Sequence, residues 1–198
     1  LQKVGAFQRF HRCNPQLRVV GITGSVGKTT VKEMVASVLS QKGSVAKTPG
    51  NWNNEIGLPL SMLAADRRSD FFVFELGMNH PGEITPLAKM VRPHVAIINN
   101  VAAVHLGAFK DVDGIAHAKA EIFDGLEPDG TAILNADDER FELLAEAARS
   151  KGVHNIVTFG ETDGSDVHID QLVLHGSCSC LTANVLGTPM VVKVGAAG

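Results

Sequence analysis

The stretch Leu17-Arg-Val-Val-Gly-Ile-Thr-Gly-Ser-Val-Gly-Lys-Thr-Thr30 decides the fold. Leu17 to Ile22 is a short apolar, β-branched run that reads as a strand. Thr23 to Lys28 is a glycine-rich turn. From Thr29 to about Lys42, Val31, Met34, Val35, Val38 and Leu39 recur at helical spacing, and Gly43 supplies a stop. Strand, glycine loop and helix, in that order, is the context a phosphate-binding loop requires. Glycines let backbone N–H groups turn inward on phosphate oxygens, and the helix N-terminus adds partial positive charge. Lys28 would reach the β- and γ-phosphates, and the Thr29 hydroxyl would ligate Mg²⁺. One position departs from the general G-x-x-x-x-G-K-[ST] pattern: Ile22 stands five before Gly27, with glycines at 21 and 24 instead. The expected nucleotide segment is Thr23, Gly24, Ser25, Val26, Gly27, Lys28, Thr29 and Thr30.

Outward from this segment the same alternation continues. Phe71 to Leu76 and Val95 to Val101 are continuous apolar runs of buried-strand type, with a short helix predicted over Ile84 to Met90 between them. Gly114 to Leu126 reads as a helix, Thr131 to Leu134 as a strand, Glu139 to Ser150 as a helix and Ile156 to Phe159 as a strand. Residues 47–59 are polar and unperiodic and read as a loop. After Gly160 come three short runs, 167–174, 180–186 and 189–194, separated by glycine turns, which predict an antiparallel meander. The fold class expected is α/β: a mostly parallel sheet of phosphate-loop type, helices on both faces, and a small antiparallel meander at the C-terminal end.

Composition narrows the function. The 198 residues carry 18 Lys plus Arg against 21 Asp plus Glu, a formal charge of −3, which gives no general pull toward nucleic acid or an anionic membrane. Apolar residues make up 44% and charged residues 20%, as in globular domains. No apolar run approaches the roughly 18 residues that span a bilayer, and a soluble domain is expected. Cys13, Cys178 and Cys180 suggest no disulfide framework; the last two, spaced C-x-C on one strand face, read as thiols in a reducing compartment. Leu1 and the ending Ala196-Ala197-Gly198 read as a piece of a longer chain, with residues 1–16 a helical tail or linker ending at Asn14-Pro15.

Glu75 closes a buried run and precedes Gly77. At the C-terminal end of a parallel strand a carboxylate is placed to bind a nucleotide's Mg²⁺, directly or through water. His105 follows another buried strand and, on spacing alone, is as well read as structural as metal-binding. Lys119, taken alone, reads as a helix-surface lysine. The loop Asn51-Trp-Asn-Asn54 offers uncharged donors and acceptors suited to a polar peptide or phosphate, and equally to building turns.

Five segments together carry a family resemblance: Thr23-Gly-Ser-Val-Gly-Lys-Thr-Thr30, Thr48-Pro-Gly-Asn-Trp-Asn-Asn-Glu-Ile-Gly-Leu-Pro59, Glu75-Leu-Gly-Met-Asn-His-Pro-Gly-Glu-Ile84, Asn100-Val-Ala-Ala-Val-His-Leu106 and Ala118-Lys-Ala-Glu-Ile-Phe123. They resemble the Mur ligases, whose phosphate loop also carries its glycine at the Gly21 position. The stretch from Glu75 to Ile84 resembles the subtype that acts on D-alanyl-D-alanine. The resemblance covers about residues 17–198 and implies the central ATPase domain, preceded by a UDP-sugar domain and followed by a closing domain. It implies a cytoplasmic bacterial enzyme, expected to be monomeric, that uses ATP to make an acyl phosphate on a UDP-N-acetylmuramoyl tripeptide. The amine of D-alanyl-D-alanine then attacks, completing a step of peptidoglycan precursor synthesis. It further implies two Mg²⁺ ions, one on Thr29 and Glu75, the other on His105 and a carbamoylated Lys119. Lys28, Glu75, His105 and Lys119 are then the catalytic set, Asn100 joins the nucleotide loop, and Asn51, Asn53, Asn54, Asn79 and His80 contact substrate. Gly198 stops before the adenine-contacting segment the resemblance leads one to expect, so the chain alone is expected to lack complete ligase activity. Folylpolyglutamate synthase is a superfamily alternative. A non-catalytic nucleotide-binding module is another, which leaves Glu75, His105 and Lys119 unexplained as a set.

Overall fold

The computed structural model describes residues 16–66, 68–104 and 107–195. The N-terminal tail up to residue 15, including Cys13, and His105 lie outside the described residues. Nine strands form one sheet: β1 Arg18–Thr23, β2 Val45–Lys47, β3 Phe71–Glu75, β4 Val95–Ile98, β5 Thr131–Asn135, β6 Asn155–Gly160, β7 Val167–His175, β8 Cys178–Val185 and β9 Thr188–Val194. Their order is β2-β3-β1-β4-β5-β6-β7-β8-β9. Pairing is parallel from β2 through β7 and antiparallel for β7–β8 and β8–β9. The expected meander is therefore a direct extension of the main sheet, joined by Phe159↔Val167 and Gly160↔His168.

The helices are α1 Lys28–Leu39, α2 Gly57–Ala64, α3 Ile84–Val91, α4 Val112–Ala120 and α5 Phe141–Ser150, with a 3₁₀ turn over Glu121–Gly125. Strand alternation divides the apolar residues between two faces. Val19, Phe72, Phe74, Ala96, Ile98, Ala132 and Leu134 pack with residues of α2, α3, α4, the 3₁₀ turn and α5. Val20, Ile22, Val73 and Ile97 pack against Val31, Val35, Ala36 and Leu39 of α1. Both faces are covered, but very unequally.

Three elements differ from the sequence reading. β2 has three residues, too short for an alternation to register. The predicted loop 47–59 ends in α2, whose sequence opens Gly-Leu-Pro and is apolar nearly all round, so it carries no helical stripe. Leu58 and Met62 are buried while Leu60 and Leu63 stay exposed. The long helix predicted to Leu126 breaks instead into α4 and the 3₁₀ turn.

The chain leaves β1 through α1 to β2 on one side, and leaves β3 through α3 to β4 on the far side of β1. The crossovers from the adjacent strands β1 and β3 thus run in opposite directions, which makes the crevice at their C-terminal ends the topological switch point where ligands bind in open α/β sheets.

The 3₁₀ turn fixes α3. A Cβ on Gly125 would overlap the backbone carbonyl of Ala88, and backbone cannot move aside cheaply. Gly125→Ala should therefore cost about 3 kcal/mol in urea unfolding. Gly176→Ala, where a Cβ meets nothing, should stay within about 0.5 kcal/mol. Equal midpoints for the two variants would contradict this packing.

Candidate functional site

β1 ends at Thr23, and the chain turns into α1 through Gly24 to Gly27. Two glycines are required here for different reasons. A Cβ on Gly24 would overlap Asn99 Oδ1. Gly27 holds φ 77°, a left-handed conformation open to glycine at little cost. Gly27 is also the N-cap of α1; no side chain caps the helix and no acid stands in its first turn. The first N–H groups of α1 thus face outward with their partial positive charge uncompensated.

The end of β4 clamps this loop. Asn100 Oδ1 accepts from the N–H groups of Ser25 and Val26 at 3.1 and 3.0 Å. Asn99 Nδ2 and Asn100 Nδ2 donate to the Val26 carbonyl at 2.6 and 3.1 Å. Ser25 Oγ donates to Ala102 O and accepts from Ala102 N. Among the described residues Thr23 Oγ1 and Asn99 Oδ1 are buried there without a hydrogen-bond partner, which is unspent polar capacity beside the loop. Val26 and Thr30 are exposed.

Lys28 Nζ folds back on the loop, donating to Gly24 O at 2.9 Å and more weakly to Ser25 O at 3.4 Å. Burial pushes its pKa down, with the charge of Glu75 opposing. Glu75 ends β3 and is 1% exposed. Its Oε2 accepts from Thr29 Oγ1 at 2.8 Å and its Oε1 from Asn53 Nδ2 at 2.7 Å. Thr29 and Glu75, 46 residues apart in sequence, meet because β1 and β3 are adjacent with Ile22 opposite Glu75.

The remaining expected residues divide. Asn54 Oδ1 accepts from Ile56 N and Gly57 N, so its side chain starts α2. Asn51 is exposed, and its carbonyl accepts from Asn53 N. Trp52 is about half exposed on the same loop. Asn79 and His80 are exposed beyond β3, their N–H groups donating to Glu83 Oε2 at 2.7 and 3.2 Å.

Lys119 is not a surface lysine. It is 1% exposed, on the buried side of α4 with Ile115, Ala116, Ala118 and Ala120. Burial, and then repulsion from Lys28, pushes its pKa down to about 7. The small alanines around it let the helix approach its neighbours closely, which a residue-by-residue reading does not convey.

Three contributors were not anticipated. Lys32 is fully buried, one helical turn beyond Lys28, and binds the carbonyls of Thr48 and Gly50. Its i, i+4 spacing places it on the face of α1 shared with Lys28 and with buried Ala36, but spacing alone does not separate a buried lysine from a solvated one. Glu121, two residues after Lys119, accepts from Gly82 N, Ile84 N and Thr85 N and so caps α3. Asp138 accepts from Val101 N at 2.6 Å and steadies the chain leaving β4.

The donor set suits a hard cation: one hydroxyl and one carboxylate, already in contact. Among the described residues no group of three His, Cys, Asp or Glu could hold a metal. Lys28 and Lys119 face a single nearby carboxylate, Glu75, while Lys32 is also paired with Glu33, which leaves this mouth cationic in a chain of net charge −3. Among the described residues, no helix is long and apolar enough to cross a membrane.

Comparison with known proteins identifies the family. The Mur ligase middle domain family model matches residues 22–198. A UDP-N-acetylmuramoyl-tripeptide–D-alanyl-D-alanine ligase from Escherichia coli (strain K12) is 51% identical over 121 residues, covering 61% of this chain and 27% of that protein. The chain thus spans under a third of that relative's length. A crystal structure of MurF from Acinetobacter baumannii superposes with TM-score 0.90 at 37% identity, over 99% of this chain and 42% of that one. The MurF ligase of Thermotoga maritima in complex with ADP superposes with TM-score 0.84 at 31% identity, over 97% and 43%. With a phosphate loop closed by Asn99 and Asn100 and faced by Glu75, the chain belongs to the Mur ligase family, as its middle domain.

Proposed function

We propose that this chain is the ATP- and Mg²⁺-binding part of a ligase that joins D-alanyl-D-alanine to a UDP-N-acetylmuramoyl tripeptide. The observation that carries the reading is the contact between Thr29 and Glu75 at the open N-terminus of α1. It is supported by the relative and the solved structures named for that reaction. The cytoplasm and a monomeric state belong to the same proposal.

The residues divide the work as follows. The N–H groups at the start of α1 receive phosphate oxygens, and Lys28 leaves its own loop carbonyls for the transferring phosphoryl group. Thr29 and Glu75 hold one Mg²⁺, which when bound neutralises charge on the phosphates. The tripeptide's terminal carboxylate attacks the γ-phosphorus, and the bond to ADP breaks. The D-alanyl-D-alanine amine then attacks the acyl carbon, phosphate leaves and the amine loses a proton. Asn51, Asn53, Asn79 and His80 lie on the two loops that flank this mouth and are assigned to substrate, with Asn53 also orienting Glu75. Phosphoryl transfer asks mainly for positioning and charge neutralisation, and these side chains supply both.

Lys119 is assigned a carbamate that, with His105, holds a second Mg²⁺. Its neutral amine adds to CO₂: an N–C bond forms, one C–O π bond opens and leaves its electron pair on oxygen, one proton leaves the nitrogen, and the neutral amine becomes an anion. A pKa of about 7 makes the neutral amine available at physiological pH, where an ordinary lysine offers almost none.

In a full-length ligase carrying this domain, ADP release should require D-alanyl-D-alanine and fail with meso-diaminopimelate, lysine or glutamate. Lys28→Ala should lower turnover by about two orders of magnitude, on the order of 3 kcal/mol of transition-state stabilisation. Full turnover in that variant, or dependence on glutamate as acceptor (the folylpolyglutamate synthase alternative), would overturn the assignment.

For Lys119 the pH dependence has a definite sign. Its folded pKa, about 7, lies below the ordinary 10.5, so between those values the unfolded chain binds the extra proton and stability rises with pH. Lys119→Met should remove one proton from the slope of urea stability across pH 7 to 10. With ¹³C-bicarbonate, the unmutated chain should give a carbamate NMR signal that grows above pH 7 and is missing in Lys119→Met. An unchanged slope would contradict the burial of this amine.

A further inference from the structure

We infer that Lys32 is a positioning residue for the metal-binding carboxylate: it fixes the backbone of Thr48 to Gly50, and through that segment Asn53, so that Glu75 faces the phosphate loop. The inference rests on the assignment of Glu75 to Mg²⁺.

A lysine with no exposed surface is expensive to bury, and an apolar side chain of similar volume would pack at lower cost. Its three donors are directed. Nζ donates to Thr48 O at 2.8 Å and to Gly50 O at 2.7 Å. The remaining direction faces Glu33 Oε1 at 3.4 Å and Glu75 Oε2 at 4.0 Å.

The segment it grips is wired to Glu75 from both ends. Thr48 N donates to Val73 O, and Thr48 Oγ1 accepts from Glu75 N at 3.1 Å. Gly50 turns back with φ 52°, the left-handed conformation that brings its carbonyl to the same ammonium as that of Thr48. Three residues on, Asn53 Nδ2 donates to Glu75 Oε1, and Asn53 O accepts from Gly77 N at 2.8 Å. Without the ammonium, two carbonyls at the start of this segment lose their donor, and nothing replaces it short of water. The separation of 4.0 Å from Glu75 is beyond a hydrogen bond. Lys32 therefore supports the carboxylate by charge while leaving its oxygens to Thr29, Asn53 and a cation.

The chain carries one tryptophan, Trp52, inside the gripped segment, and it reports the grip without any ligand. The experiment compares the unmutated chain with Lys32→Met and Lys32→Gln, each first checked for cooperative unfolding. Acrylamide quenching of Trp52 is read in the absence of ligand, and Mn²⁺ affinity by electron paramagnetic resonance with ADP present. Lys32→Met should raise Trp52 quenching and weaken Mn²⁺ about tenfold, in the range for partners that orient metal ligands. Metal-free ADP affinity should change far less. Lys32→Gln keeps two donors and should restore the quenching more fully than the Mn²⁺ affinity. Parent-like quenching together with parent-like Mn²⁺ affinity in folded Lys32→Met would overturn the inference. If neither variant folds, ¹⁵N-lysine NMR on the unmutated, ADP-saturated chain decides: the buried Lys32 ammonium signal should move on adding Mg²⁺, and a fixed signal would overturn the inference. Failure of the unmutated chain to bind Mn²⁺ with ADP is instead a failure of the Mg²⁺ assignment, and Trp52 quenching then decides the grip alone.

Discussion

β1 is paired in parallel on both sides, and every part of the site depends on that. Its register sets Ile22 opposite Glu75 on β3 and Thr23 opposite Ile98 on β4. Three strand ends therefore stop at one level. The glycine loop leaves from the middle one, the carboxylate stands on one neighbour, and Asn99 and Asn100 leave from the other. A shift of one residue in the β1–β3 pairing would turn Glu75 toward the opposite face. A shift in the β1–β4 pairing would carry Asn100 away from the Ser25 and Val26 N–H groups that it binds. The contact between Thr29 and Glu75 is thus a consequence of strand register before it is a feature of chemistry.

That level was partly legible in the sequence. The phosphate loop could be read because its demands fall on the backbone: a left-handed Gly27 and a Gly24 with no room for a Cβ leave a direct mark in residue type. Glu75 could be read because a carboxylate closing an apolar run has few other places to be. Lys32 and Lys119 could not, since burial of a lysine is decided by what packs over it from distant segments, and each sits on a helix where a lysine reads as solvated. The pair Asn53 and Asn54 shows the same limit at closer range. Adjacent and identical in type, one orients Glu75 and the other starts α2, and only the path of the chain separates them. α2 itself was hidden because an apolar helix without a polar side has no period to detect.

The electrostatics follow from where the charges are buried rather than from their number. Burial depresses the pKa values of both Lys28 and Lys119, repulsion from Lys28 adds to the shift of Lys119, and the charge of Glu75 works the other way on Lys28. On the proposed function, a bound polyphosphate would supply the missing anions, so the cations would not need acids of their own. An acid placed there for stability would compete with the ligand for Lys28 and for the N–H groups of α1, whose first turn indeed holds no acid.

The same reasoning gives Lys28 and Lys119 a shared logic on the proposed reaction. As two ammonium groups they repel, and the protonated form of Lys119 is the one the fold disfavours. Release of its proton removes the repulsion at the cost of a buried, neutral amine, which is the form able to take up CO₂. The proposed carbamate would be anionic, so its interaction with Lys28 would become attractive where the ammonium's is repulsive, and its oxygens would suit a hard cation. The repulsion and burial that disfavour an ammonium at position 119 would then be offset by the proposed modification itself. A lysine buried beside another lysine is a poor structural choice and a suitable precursor for an anion.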